Sequence, residues 1–176
     1  LGATLHEKAY NYELRDARTN TTLLPVQLAS TELNVFPALT QQTNQYYRPD
    51  GSLGLNGNQT FSYDQYGNLT QLLDLGSGHQ NELVDIRMSY HYLPETYQLA
   101  TRDSIVIRDS RGIVRSRHAE FNTGGDAERI HYQIDNANRA TYDYEYDEFG
   151  NTTRIVRPAN AAGERLAYTY IYDEEV

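Results

Sequence analysis

The feature that most constrains the fold of this chain is a ten-residue phrase that occurs twice. It reads YDQYGNLTQL from Tyr63 to Leu72 and YDEFGNTTRI from Tyr146 to Ile155, with Tyr, Asp, Gly, Asn and a Thr at the same offsets. A chain that repeats a short phrase builds one local unit more than once, and such units bury their apolar faces against their neighbours. The phrase therefore favours a repeat architecture assembled from short elements.

A strict alternation of tyrosine and acid next to the second phrase indicates extended strands. In YDYEYD every second residue is a tyrosine, so the tyrosines share one face of a strand and the acids share the other. The tyrosines are Tyr142, Tyr144 and Tyr146, and the acids are Asp143, Glu145 and Asp147. With 16 Tyr, 4 Phe and no Trp, the composition suits sheets that are apolar on one face and wet at the edges. We expect an all-β fold, and the one helical candidate, residues 21 to 32, is weakened by its β-branched residues and by Pro25.

Turn signals separate the strands. Asp favours the first position of a four-residue turn because its side chain bonds the backbone ahead, and Gly favours the fourth because it tolerates a positive φ. This pattern occurs as Asp64 to Gly67, Asp109 to Gly112 and Asp147 to Gly150. A variant runs from Asp135 to Asn138, with asparagine expected in the left-handed conformation in place of glycine. Asn68 and Asn151 follow the turns of the two phrases and begin the return strands.

The copies are degenerate, and they do not cover the whole chain. Drifting spacing favours a curved or spiralling antiparallel sheet over a symmetric propeller. We predict a β-rich lead-in segment at residues 1–45 and a repeat sheet at residues 46–176. Tyr172-Asp173 resembles the start of another phrase, so we expect the chain to be a fragment of a larger protein.

Composition excludes several classes of function. The formal net charge of −9 argues against a nucleic-acid partner, which requires a basic surface. The absence of cysteine removes disulfides, thiolate nucleophiles and cysteine-ligated metals. No apolar run approaches the roughly 18 residues of a membrane span.

Catalytic and metal-binding patterns are equally sparse. The acids of YDYEYD raise the hypothesis of a glycoside hydrolase, whose paired carboxylates lie about 5 to 9.5 Å apart, but a solvated acidic face explains them as well. The five histidines show no metal-ligand spacing, and there is no nucleophile elbow or phosphate-binding loop. We therefore predict no enzyme, no metal, no cofactor and no catalytic residue.

The tyrosines raise a binding hypothesis. Tyr142 and Tyr144 present rings that could stack on sugars, whereas the alternative is a ladder of rings between neighbouring strands. We favour the ladder, because the tyrosine stripes recur at repeat positions and do not converge on one place.

The two phrases resemble the RHS or YD-repeat family, whose hallmark is a Tyr-Asp pair, two variable residues, Gly-Asn or Gly-Arg, then a hydrophobic residue and Thr. The resemblance covers roughly residues 47 to 176 and is carried by Tyr63, Asp64, Gly67 and Asn68 and by their counterparts in the second copy, Tyr146, Asp147, Gly150 and Asn151. The stretch from Asp85 through Arg117 also resembles the B component of bacterial insecticidal toxin complexes and the related SpvB-linked proteins. No segment here resembles the self-cleaving core that follows the repeats in that family.

The resemblance implies a function and a set of partners. It implies a slice of a hollow β-sheet shell that encapsulates a C-terminal toxin or effector polypeptide, in a secreted or cell-surface bacterial virulence protein. The partners would then be further repeats of the parent chain and the enclosed polypeptide, with no nucleic acid and no membrane span. The alternative is a cell-surface adhesion or carbohydrate-binding module built from the same strands.

Overall fold

The computed structural model describes residues 5–24, 34–77, 82–93 and 98–173. Within them, every regular element is a β-strand, so the all-β prediction is confirmed. The strands are β1 (His6–Asp16), β2 (Val35–Tyr47), β3 (Leu53–Tyr63), β4 (Leu69–Asp74), β5 (Val84–Leu93), β6 (Gln98–Asp109), β7 (Val114–Phe121), β8 (Ala127–Gln133), β9 (Arg139–Tyr146), β10 (Thr152–Val156) and β11 (Ala167–Thr169). Most of the doubtful helical candidate at residues 21 to 32 lies outside the described residues.

The strands form one sheet whose hydrogen-bonded order follows the chain from β1 to β11. Every pair with a described register is antiparallel. Antiparallel neighbours in chain order can be joined by short connections. The turns at Asp64 and Asp147 supply two of them, from β3 to β4 and from β9 to β10, whereas β1 and β2 are joined by residues 17–34.

The chain divides into two compact units. The first contains residues 1–88 and 107–112, and the second contains residues 89–106 and 113–176. The first phrase lies in the first unit and the second phrase lies in the second. The predicted boundary at residue 45 falls inside β2, and the start of the repeats there stays a prediction.

Polar side chains connect strands in the first unit. The Asn11 amide donates to Gln41 at 2.8 Å, and the Gln41 amide donates to Asn58 at 2.9 Å, which links β1, β2 and β3. The Gln59 amide donates to Asp74 at 2.8 Å in the same manner between β3 and β4. Cross-strand pairs of this kind stabilise a sheet on a face that is not packed as an apolar core.

Few side chains of the described residues are fully buried. The buried apolar ones are Leu23, Ala38, Ala119 and Ile130, and none of them is large and completely enclosed. Many tyrosines and leucines remain exposed, including Tyr12 and Leu55. The sheet is therefore stabilised mainly by its ladders and cross-strand contacts, since the side chains of residues 5–24, 34–77, 82–93 and 98–173 form no thick aliphatic core.

No helix with the length and apolarity needed to cross a bilayer occurs among the described residues.

Candidate functional site

The first copy of the phrase folds into a tight hairpin turn centred on the carboxylate of Asp64. That carboxylate accepts hydrogen bonds from the backbone N–H of Tyr66 at 2.9 Å and of Asn68 at 2.9 Å, and from the Asn68 side-chain amide at 3.0 Å. The Gly67 N–H donates to the Asp64 carbonyl at 3.1 Å, and Gly67 has a φ of 83°. The turn is a three-residue hairpin loop that ends on a left-handed glycine.

The second copy builds the same turn from the same atoms. The carboxylate of Asp147 accepts from the N–H of Phe149 at 2.9 Å, from the N–H of Asn151 at 2.8 Å and from the Asn151 amide at 3.0 Å. The Gly150 N–H donates to the Asp147 carbonyl at 3.1 Å, and Gly150 has a φ of 82°. The hydrogen bond from the Asn151 side chain, supported by the backbone donors, holds the pKa of Asp147 below its ordinary value.

The tyrosine that precedes each turn bonds the preceding strand. The Tyr63 hydroxyl donates to the Leu39 carbonyl at 3.0 Å, and the Tyr146 hydroxyl donates to the Ala127 carbonyl at 2.9 Å. In both cases the register can be extended along the two strands. The accepting residue then lies opposite the residue that precedes the tyrosine. Burial raises the pKa of both phenols. The repeated tyrosine is therefore a latch between adjacent strands, and we call this contact the tyrosine latch.

A third tyrosine latch is present at the start of the partial third phrase. The Tyr172 hydroxyl donates to the Thr152 carbonyl at 2.9 Å, at the same offset relative to the β10–β11 register. Tyr172 lies beyond the end of β11, so the contact does not depend on its tyrosine being inside a regular strand. The tyrosine latch belongs to the phrase itself.

A bulge follows each of the two turns. In the first hairpin Tyr63 pairs with Leu69 while Ser62 pairs with Gln71, which leaves Thr70 as the extra residue. The second hairpin leaves Thr153 as the extra residue by the same shift. A bulge increases local twist and redirects the strand, and here it falls on the threonine that the phrase repeats.

Two further turns of this type, which no sequence pattern predicted, occur in the part of the chain that the structure describes. Asn122 accepts from the Asp126 N–H at 2.9 Å and donates its amide to the Asp126 carboxylate at 3.2 Å, with Gly125 at a φ of 94°. Asn160 accepts from the Glu164 N–H at 3.0 Å and donates to the Glu164 carboxylate at 3.1 Å. The amide and the acid have exchanged places relative to the phrase. The signal that could have found these turns is Asn, two residues, Gly, then an acid.

The turn at Asp109 is confirmed as a turn but is closed differently. Gly112 has a φ of 76° and its N–H donates to the Asp109 carbonyl at 3.0 Å. The Arg111 N–H donates to one carboxylate oxygen at 3.0 Å, and the Arg111 guanidinium donates to the other at 2.8 Å. Arginine thus replaces the closing asparagine of the phrase.

The turn at Asp135 corrects one detail of the prediction. The Asp135 carboxylate accepts from the N–H of Ala137 and of Asn138, both at 2.8 Å. Asn138 is not left-handed, because Asn20 is the non-glycine residue with a positive φ in the described part of the chain. The Ile134 N–H bonds the Asn138 carbonyl at 2.9 Å, so Asn138 closes this loop and does not occupy the glycine position.

The candidate stacking residues lie together on one face of β8 and β9. Tyr132, which no sequence pattern marks as a stacking residue, brings its ring to 5.9 Å from that of Tyr142 at an interplanar angle of 85°. With Tyr144, Ile134 and Ala140 these rings line a depression of about 290 Å³, and we call this the tyrosine depression. Burial, together with the neighbouring phenols, raises the pKa of Tyr144. Strand pairing, which the sequence does not display, is what places Tyr132 here.

The acids of β9 each have partners of their own. Arg129 and Arg165 each donate to the Asp143 carboxylate at 2.5 Å, and Arg154 donates to Glu145 at 2.6 Å. Burial tends to raise the pKa of Asp143, but the hydrogen bonds from Arg129 and Arg165 outweigh it, so the pKa is lowered. Asp147 belongs to the turn, not to the strand. Each acid of YDYEYD is therefore bound by arginine or by its own turn.

Within the described ranges no group of three or more His, Asp or Glu residues is arranged to hold a metal ion.

Comparison with known proteins finds weak similarity to solved structures. No protein-family model matches the sequence. No curated protein matches it. A crystal structure of TcdB2-TccC3-Cdc42 is similar over 98% of this chain and 10% of that one, with 16% identity and a TM-score of 0.39.

Two other solved structures are similar to a lesser degree. One is the Photorhabdus luminescens Tc holotoxin pore, at 16% identity and a TM-score of 0.25, and it covers 94% of this chain. The other is TcdB2-TccC3 without its hypervariable C-terminal region, at 15% identity and a TM-score of 0.26. The chain spans about a tenth of the length of the structures that it resembles. At these TM-scores the similarity does not identify a family.

Proposed function

We propose that this chain is a structural part of an RHS-type β-sheet shell that encloses a toxin or effector polypeptide. The observation that carries the proposal is the shared hairpin of the two phrases. In each copy the polar groups of the tyrosine, the aspartate and the asparagine form hydrogen bonds within the sheet. The phrase therefore serves to build strands. A chain that repeats such a hairpin extends a wall, and a wall with few fully buried side chains requires further surface to cover it.

The same proposal includes no catalytic step. The hydrogen bonds and ion pairs of the acids support this. Asp143 pairs with two guanidinium groups, Glu145 pairs with one, and Asp147 accepts hydrogen bonds within its own turn. A glycoside hydrolase needs one carboxyl group free to donate a proton and a second free to attack or to activate water. A secreted or cell-surface bacterial location is part of the proposal and follows from the resemblance of the two phrases.

Protease protection tests enclosure. In the full-length polypeptide that contains residues 1–176, we expect the enclosed toxin or effector segment to resist digestion by proteinase K. Replacing both turn glycines, Gly67→Val and Gly150→Val, is expected to make that segment digestible, because valine is strained at a positive φ. Gly57→Val is the matched control, since Gly57 lies in β3 without a positive φ and its added Cβ would meet only ordinary contacts.

The proposal fails under either of two outcomes. If proteinase K digests the segment rapidly in the native protein, at the rate seen in the double-glycine variant, the sheet does not enclose it. If Gly57→Val releases the segment as strongly as the two turn substitutions do, the protection does not depend on the hairpins.

A second candidate function is carbohydrate binding in an adhesion module, favoured by the tyrosine depression. Its half-buried rings and its volume of about 290 Å³ suit one sugar ring stacked on tyrosine. A glycan array on the chain and on its Tyr144→Ala variant decides. Saturable binding that is lost in the variant supports adhesion, and absence of binding to any glycan removes this candidate.

A further inference from the structure

A groove of different chemistry lies on the face of β9 opposite the tyrosine depression. Arg139 and Thr141 alternate with the residues of the tyrosine depression along the strand, so they belong to the other face. Two depressions, of about 490 Å³ and about 250 Å³, are both lined by His131, Arg139 and Thr141. We call the two together the arginine groove. All of its lining residues belong to the second unit.

Two of the three arginines of this groove are used by the fold. Arg129 and Arg165 both bind the carboxylate of Asp143. Arg165 also donates to the carbonyls of Arg157 at 2.9 Å and of Thr141 at 3.0 Å, which fixes the segment after β10 against β9. These two guanidinium groups are held in place and have little capacity for a ligand.

Arg139 differs from both. Arg139 is exposed, and its side chain has no hydrogen bond or ion pair among the described residues. It lines both depressions, so it supplies one uncompensated positive charge to the groove. A single free guanidinium matches a singly charged planar anion, which it can bind through two parallel hydrogen bonds.

The hydrogen bonds around His131 define what the groove offers next to that charge. His131 Nε2 lies 3.2 Å from the Glu120 carboxylate and Nδ1 lies 3.0 Å from the Thr141 hydroxyl. A carboxylate only accepts, so in the neutral ring Nε2 donates to Glu120 and Nδ1 accepts from Thr141. The Thr141 oxygen then keeps lone pairs with which to accept a hydrogen bond from a ligand hydroxyl.

We propose that the arginine groove binds a saccharide that carries a carboxylate, of the uronic acid class. Arg139 binds the carboxylate, and Thr141 accepts from a ring hydroxyl. The Gln133 amide and the Ser116 hydroxyl, which line the smaller depression, bind further hydroxyls. The net charge of −9 opposes the approach of any anion, so recognition depends on this local charge and not on long-range attraction.

The test is a titration of the whole chain with sodium D-glucuronate, followed by NMR, with D-glucose as the neutral match. We expect saturable shifts with glucuronate and none with glucose at equal concentration. Arg139→Gln is expected to weaken glucuronate binding by about tenfold or more, as the loss of a charge-assisted bidentate contact implies. Arg154→Gln is the matched control, because Arg154 lies on a neighbouring strand and is paired with Glu145.

Three outcomes overturn the proposal: no binding of glucuronate, equal binding of glucose, or undiminished binding in Arg139→Gln. The inference does not rest on the shell. Tyr144→Ala, which tests carbohydrate binding at the tyrosine depression, is expected to leave glucuronate binding unchanged, so failure at one surface is distinguishable from failure at the other.

Discussion

The two copies of the phrase share a turn but differ in their surroundings. Around Gly67 the ring of Phe36 lies 3.7 Å from the position of an added Cβ, whereas nothing lies within 4 Å of the corresponding position at Gly150. The variable aromatic of the turn follows the same trend, since Tyr66 is 45% exposed and Phe149 is 82% exposed. The difference teaches that the phrase specifies its turn locally, because an identical set of bonds forms with and without an aromatic ring beside the glycine.

The largest expected effect comes from the two glycines. Gly67→Val and Gly150→Val should each destabilise the chain by about 1–2 kcal/mol or more, since a β-branched residue is strained at a positive φ. Gly67→Val should be the less damaging, because the valine side chain gains van der Waals contact with the Phe36 ring, whereas nothing lies within 4 Å of the added Cβ at Gly150. Chemical denaturation of each variant measures this. Equal losses would show that Phe36 does not distinguish the turns, and unchanged stability in both would contradict the turn geometry.

A smaller effect is expected from the tyrosine latches. Tyr63→Phe and Tyr146→Phe remove the hydroxyl that bonds the preceding strand, at a cost of about 0.5–1.5 kcal/mol each. The two losses should be similar, because both hydroxyls donate to a carbonyl at the same register offset. Tyr142→Phe is the control on the same face as Tyr146. A loss for Tyr142→Phe as large as that for Tyr146→Phe would show that the carbonyl bond is not what matters.

The smallest expected effect is a dependence of stability on acid in the second unit. The lowered pKa values of Asp147 and Asp143 mean that both carboxylates stabilise the folded chain above the unfolded-state pKa of about 3.9. That contribution disappears as the pH falls through the folded-state values. Urea denaturation at pH 7, 4 and 2 should show the loss, and Asp147→Asn should reduce its pH dependence. If Asp147→Asn leaves the pH dependence of unfolding unchanged, Asp147 does not contribute to the loss of stability in acid.

Much of the fold follows from local sequence signals. Alternation in β9 and the Asp and Gly of the turns predict strands and hairpins because these depend on φ, ψ and nearby hydrogen bonds. The tyrosine latch was not predicted, since it depends on the register between strands. Tyr132 and Arg165 were missed for the same reason: each reaches its partner across strands, and neither has a spacing that marks it.

The candidate sites show the same limit. Tyr142 and Tyr144 could be placed on one face from their spacing, but the tyrosine depression requires Tyr132 from β8. The guanidinium of Arg139, which has no partner among the described residues, could not be recognised either, because the sequence does not show which arginines are neutralised. Pairing between β8, β9 and the segment after β10 decides that.

Amide hydrogen exchange at Asn68 and Asn151 tests most directly the claim that the phrase is a structural unit. Each of these N–H groups donates to the carboxylate at the first position of its turn, at 2.9 Å and 2.8 Å. We expect both to exchange more slowly than in an unfolded peptide, and Asp147→Ala to release Asn151 while Asn68 stays protected. Rapid exchange at either asparagine in the unmodified chain, or protection of Asn151 that survives Asp147→Ala, would contradict the account.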